Sequence, residues 1–168
     1  MPRAARRGFR ESPQLPRLAG GCDRVRTRPG RVADTGVVPE IMELSYSIDS
    51  QEKLLRLHAW GEVTVDGLIG LLNRAQADPG YRPDMDSLGD YREARGEWDF
   101  SEIQRLRDYI LRVEVPCEVR WAAVLKPGSL AAAGHVLIVI SEAVGARIKM
   151  RMFDDPQQAL RWIRREVD

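Results

Sequence analysis

The chain has little of what the common extracellular, metal-binding and membrane designs require. Two cysteines, Cys22 and Cys117, stand in 168 residues. They make neither a disulfide framework nor a zinc set, which fits a reducing cytoplasm. Cys117 precedes an apolar strand pattern and is expected to be buried and inert. The longest uninterrupted aliphatic run, Val136–Ile140, is far short of the ~18 residues a membrane helix needs, so no membrane span is expected. Arg6-Arg7 resembles a twin-arginine export signal but lacks the apolar stretch that must follow. Charge of one sign is also missing. The net charge is +1, and nothing in bulk electrostatics points to nucleic acid.

The charge is uneven. Residues 1–41 hold nine Arg against Glu11, Asp23, Asp34 and Glu40, with abundant Pro and Gly and no apolar period. This stretch is expected to be either a disordered arm or the product of a start placed upstream of the true one at Met42. Residues 42–168 form the expected folded domain.

Periodicity assigns the elements of that domain. Leu44, Tyr46 and Ile48 alternate with polar residues, as do Leu55, Leu57 and Ala59 after a short polar turn, which predicts a hairpin. Thr64 is a good helix N-cap, followed by Val65, Leu68, Ile69 and Leu72 at helical spacing. Asp78-Pro79-Gly80 stops that helix. Met85–Tyr91 is a weak strand. Phe100–Val113 carries Ile103, Leu106 and Ile110 on one helical face, and Val119–Leu125 alternates again. Residues 130–144 combine alanines with β-branched residues. Their length favours a helix, with Gly134, His135, Ser141 and Glu142 as one polar stripe. Ile148, Met150 and Met152 mark a last strand, and Asp155-Pro156 opens a last helix. The order ββαβαβαβα predicts an α/β fold with a mixed, mainly parallel five-stranded sheet.

The same stretches carry a resemblance. Gly61-Glu62-Val63-Thr64, Asp78-Pro79-Gly80-Tyr81, Leu88-Gly89-Asp90-Tyr91-Arg92, Ala122-Ala123-Val124, Gly134 and Met152-Phe153-Asp154-Asp155-Pro156 occur in an order similar to that of bacterial STAS/SEC14-type, anti-sigma-factor-antagonist-like domains. The resemblance spans about residues 43–165. It implies a non-enzymatic regulatory or protein-interaction module. The alternative it implies is a carrier or sensor of a small amphiphilic or anionic ligand. The antagonists have a phosphorylatable serine at the start of the helix after the third strand. The nearest residue here is Ser101, outside the usual Asp-Ser-Ser or Asp-Ser-Gly context.

Candidate site residues follow from chemistry. Asp90 sits at a strand's C-terminal end, where open α/β sheets bind ligands, and Arg92 is placed to pair with it. Asp99 and Ser101 compete to cap the second helix, each with a Glu or Gln three residues on. These four form the expected interaction or switch region. Lys126, in the turn Lys126-Pro127-Gly128-Ser129, offers a cation beside a helix start. Arg147, Lys149 and Arg151, with Arg56, His58 and Arg120, occupy polar strand registers that make one basic, anion-binding face if they share a side. His58 and His135 are expected on the surface. Asp84, Asp86 and Gly89 match positions 1, 3 and 6 of a calcium loop, but Leu88 and Arg95 fall where ligands are needed. No metal, cofactor or catalytic set is expected.

Overall fold

The computed structural model describes residues 43–167. The Arg/Pro-rich stretch 1–41, with Arg6, Arg7 and Cys22, lies outside the described residues. The elements are β1 (Glu43–Asp49), β2 (Leu54–Glu62), α1 (Val65–Gln76), β3 (Asp86–Arg95), α2 (Phe100–Arg112), β4 (Val119–Val124), α3 (Ser129–Ala143), β5 (Ile148–Phe153) and α4 (Pro156–Ile163). The strands form one five-stranded sheet in the order β1-β2-β3-β4-β5. β1 is antiparallel to β2, and the remaining pairs are parallel. This is the expected mixed α/β architecture.

The caps explain where most helices begin. Thr64 Oγ1 accepts from the Gly67 amide, Asp155 from the Gln157 amide with Pro156 in the first turn, and Asp99 forms a full capping box with Glu102. Each such cap satisfies amides that the first helical turn leaves without partners. Gly145, at φ 72°, follows the end of α3 in a backbone region that a side chain would strain.

The two sheet faces are covered unequally. Leu55, Leu57, Ala59, Tyr91 and Trp121 face α1, α2 and α3 and form the main core with Leu71, Leu106 and Leu137. The opposite face buries Leu54, Ala122 and Val124 under α4, through Ala159, Trp162 and Ile163. Ala122 and Ala159 are both fully buried. Their small side chains let the short helix come close to the sheet.

Three local expectations are corrected. Cys117 is exposed, because it lies ahead of β4, where the chain has not yet entered the sheet. β3 runs four residues beyond Tyr91. The alternation breaks there because Tyr91 and Arg92 together oppose the single β2 residue Ala59, a bulge between the pairs His58–Asp90 and Trp60–Glu93. The polar stripe on α3 does not exist. Ser141 is fully buried and Gly134 packs against Met152, while His135, Glu142, Val136 and Val139 face outward.

Candidate functional site: a crevice over an apolar cavity

β3 and β4 stop pairing at Asp90–Val124. β3 continues beside β2 as far as Arg95, whereas the chain after β4 turns through Lys126-Pro127-Gly128 into α3. The divergence leaves a half-open crevice of about 730 Å³ at the C-terminal ends of the parallel strands, lined by Tyr91, Arg92, Lys126, Gly128, Ser129 and Leu130 among others. Its two walls are tied together, since Ser129 Oγ donates to the Gly96 carbonyl at 2.9 Å. Trp98 Nε1 donates to the Val63 carbonyl at 2.8 Å, fixing a ring that belongs to the wall beneath.

Below the crevice lies a cavity of about 60 Å³ between the sheet and the helices α2 and α3, walled by Leu106, Trp121, Leu137 and Met150 among others. Tyr91, Leu125 and Leu130 line both spaces, so the cavity and the crevice share a wall. Two side chains of the cavity wall carry buried polar atoms. Tyr91 Oη and Trp121 Nε1 are buried without a hydrogen-bond partner. Burial pushes the Tyr91 phenol well above its ordinary value, and the neighbouring Trp121 indole offsets this only in part. Buried polar groups in folded proteins are nearly always bonded; among the described residues these two share the exception with Ser141 Oγ on α3.

The Asp90–Arg92 pair forms across the bulge. Arg92 donates from Nε to Asp90 Oδ1 at 2.9 Å and from Nη2 to Asp90 Oδ2 at 2.7 Å. The Arg92 backbone amide also reaches Asp90 Oδ1, at 3.2 Å. The Arg92 hydrogen bond, against a smaller desolvation effect, holds the Asp90 carboxyl below its ordinary range. Arg92 lines the crevice, while Asp90, Asp99 and Ser101 are not among its walls. Asp99 is the helix cap, and Ser101 Oγ donates to Asp99 Oδ1 at 2.8 Å. Phe100, between them, is 59% exposed.

The anion-binding candidates are not brought together. Lys126 lies at the crevice. Lys149 and Arg151 line a separate depression along β5, between His135 and Glu142 of α3 and Trp162 of α4, and Arg151 also borders the apolar cavity. Arg147 precedes β5, and its Nη1 donates to the Val115 carbonyl at 3.4 Å. The strand registers do align Arg56, His58, Arg120, Lys149 and Arg151 on one face, but Asp86 and Asp90 share it. Arg120 stacks over the Trp162 ring at 4.9 Å and donates to the Trp162 carbonyl. Arg56 pairs with Glu52. The face is therefore mixed in charge.

The calcium-like acids also have cationic partners. Asp84 binds Lys53 and Arg82, and Asp86 binds Arg165. No group of three His, Cys, Asp or Glu side chains able to hold a metal occurs among the described residues. No helix among them is long and apolar enough to cross a membrane. The sequence places Trp121 on the apolar side of its strand and Tyr91 at a strand end, and assigns neither to a site. Both sit at apolar positions of their strands, a pattern that by itself indicates core.

No family model matches the chain, and no curated protein matches it. Among solved structures, it is similar to an uncharacterized protein of the DUF3478 family from Shewanella loihica PV-4, with 20% identity and a TM-score of 0.51. The match covers 76% of this chain and 99% of that one, which is described as having a SpoIIAA-like fold. This chain has the SpoIIAA-like fold. The STAS-type architecture expected from the order of the motifs is therefore the one observed.

Proposed function

We propose that this SpoIIAA-like domain is a non-catalytic binding module whose ligand is a small amphiphile held between the sheet and the α2–α3 pair. One observation carries the reading: the apolar cavity has in its wall Tyr91 and Trp121, two side chains whose polar atoms are buried without a hydrogen-bond partner. An apolar site with a few convergent polar groups is the usual form of a small-molecule pocket. A ligand oxygen that accepts from either group would offset the cost of leaving it buried and unbonded. The free Cys117 thiol fits the cytoplasmic placement that belongs to this reading.

The test uses the indole N–H signal of Trp121. On titration with 1-butanol or 2-butanone, a ¹⁵N–¹H spectrum of the full chain should show Trp121 Nε1–H moving while Trp60 and Trp162 stay still. A Trp121 signal that does not move at tens of millimolar ligand would overturn the reading.

A second reading is supported by the exposed Phe100, which stands between Asp99 and Ser101. An exposed aromatic flanked by polar groups suits a protein contact. A regulatory partner would then dock at the start of α2. Loss of partner capture in Phe100→Ala, with folding intact, checks it.

A further inference from the structure

The outer face of α3 is apolar where a surface helix is normally polar. Leu130, Ala133, Leu137 and Ser141 are the buried residues of the helix. On the opposite side, Ala132, His135, Val136, Val139, Glu142 and Ala143 are exposed. Their spacing of three or four residues makes one continuous stripe along the helix. Val139, near its centre, is 64% exposed. Among the described residues five large hydrophobic side chains are exposed, and four of them, Leu111, Val136, Val139 and Val144, lie on α2, on α3 or just after α3. A helix that is apolar on both faces is normally covered on both.

The charges indicate what covers it. The ionisable side chains of α3 are His135 and Glu142, and the helix has no Lys or Arg. A helix that lies on a membrane surface is typically rich in Lys and Arg on its polar face, so a lipid surface fits poorly. His135 and Glu142 are seven residues apart and therefore share one side of the stripe. Both border the depression along β5. Neither makes an ion pair among the described residues. His135 Nδ1 donates to the Ala131 carbonyl at 3.0 Å, which leaves Nε2 for another partner.

The stripe is complementary to itself. His135 precedes Val139 by about 6 Å along the axis, and Glu142 follows it by about 4.5 Å. A second α3 can lie antiparallel across the first, with a two-fold axis perpendicular to both helices at Val139. His135 of each copy then stands level with Glu142 of the other, on the same side, and the pairing occurs twice by symmetry. In a parallel pair each residue stands level with its own counterpart, and the complementarity is lost. The small side chains of Ala132 and Ala143, towards the ends of the stripe, allow the helices to approach closely.

We propose that α3 is the docking face for a second copy of this chain, in a two-fold dimer whose α3 helices pack antiparallel at Val139 with His135 of each copy against Glu142 of the other. A contact built on one helix pair is small, so the dimer is expected to be a micromolar one. It does not depend on the cavity being a ligand site.

The experiment is sedimentation equilibrium of the full chain from about 1 to about 300 µM. The wild type should pass from monomer to dimer over this range. Val139→Glu places two carboxylates at the symmetry axis and should leave a monomer throughout. His135→Glu and Glu142→Lys each set like charges against one another twice and should weaken the dimer about fivefold or more. The double variant His135→Glu, Glu142→Lys restores opposite charges and should recover the loss. A wild type that stays monomeric over the whole range would overturn the proposal, as would a dimer that survives Val139→Glu. Failure of the double variant to recover would overturn the antiparallel pairing. A monomer that sediments with phosphatidylglycerol vesicles through Val139 would give the stripe to a lipid surface and overturn the dimer. The substituted residues are exposed, so the variants are expected to fold, and their melting temperatures serve as the control.

Discussion

The ring of Tyr91 lies back over Gly89, two residues earlier on β3. A Cβ added to Gly89 would overlap the Tyr91 ring and hydroxyl. The absent side chain is what lets the phenol lie down against β3. Gly89→Ala is therefore expected to push Tyr91 from its place and to destabilise the domain by about 1–3 kcal/mol, the usual cost of overpacking. Urea unfolding measures the loss. Stability equal to the wild type would show that Tyr91 has another low-energy position.

Tyr91→Phe should behave differently from the loss of a bonded tyrosine. Its hydroxyl has no partner, so removing it relieves an unsatisfied group and leaves the ring packing intact. Stability should stay within about 1 kcal/mol of wild type or rise above it. The same change should weaken any ligand that offers an acceptor to Tyr91. Denaturation with and without 2-butanone separates the two effects.

Acid should unfold the domain partly through Asp90. Its folded pKa lies below the ordinary value of 3.8, chiefly because Arg92 bonds to the carboxylate. A depressed carboxyl contributes stability above the unfolded pKa and loses it as pH falls through the folded one. Melting temperature should therefore fall from about pH 4 downward. Asp90→Asn should lower stability at pH 7 and flatten that acid slope. An unchanged slope would show that Asp90 contributes nothing to it.

The start of α2 distinguishes its two polar residues. Asp99 accepts from the Glu102 amide, and Ser101 reaches only the Asp99 side chain. Asp99→Ala should lower the melting temperature by roughly a few degrees, and Ser101→Ala by much less. A phosphate on Ser101 would place its charge against the Asp99 carboxylate, so Ser101→Glu should also destabilise the cap. Equal effects of the two alanine variants would contradict the observed cap.

On the α4 face, Trp162→Ala should cost about 3–5 kcal/mol, because Trp162 is a buried aromatic that carries the contact to Ala122 and Val124. Lys149→Ala on the same side of the sheet should change stability by about 0.5 kcal/mol or less, since Lys149 is exposed. Chemical denaturation of the two variants checks the contrast.

Much of the fold was legible in the residue pattern. Leu55, Leu57 and Ala59 alternate, Val65, Leu68 and Leu72 recur at helical spacing, and Thr64 and Asp155-Pro156 mark helix starts. Each of these is a local signal, and local signals set element type and order. The Asp90–Arg92 pairing was also readable, because its partners lie two residues apart. The choice between Asp99 and Ser101 as cap needed the backbone, since both have the right chemistry.

What the pattern could not contain was where neighbouring strands part. The bulge opposite Ala59, the end of β3–β4 pairing at Asp90–Val124 and the crevice that follows are properties of the register between strands, set by packing between segments distant in sequence. The same reason explains Cys117, Ser141 and Trp121. Residue type fixed their polarity, but only the course of the backbone decided which of them met solvent, the core or an unpartnered neighbour in the cavity. Local patterning was enough to set the elements and their order. Only packing makes Tyr91 and Trp121 line one cavity, because burial depends on what the rest of the chain places on top of a side chain.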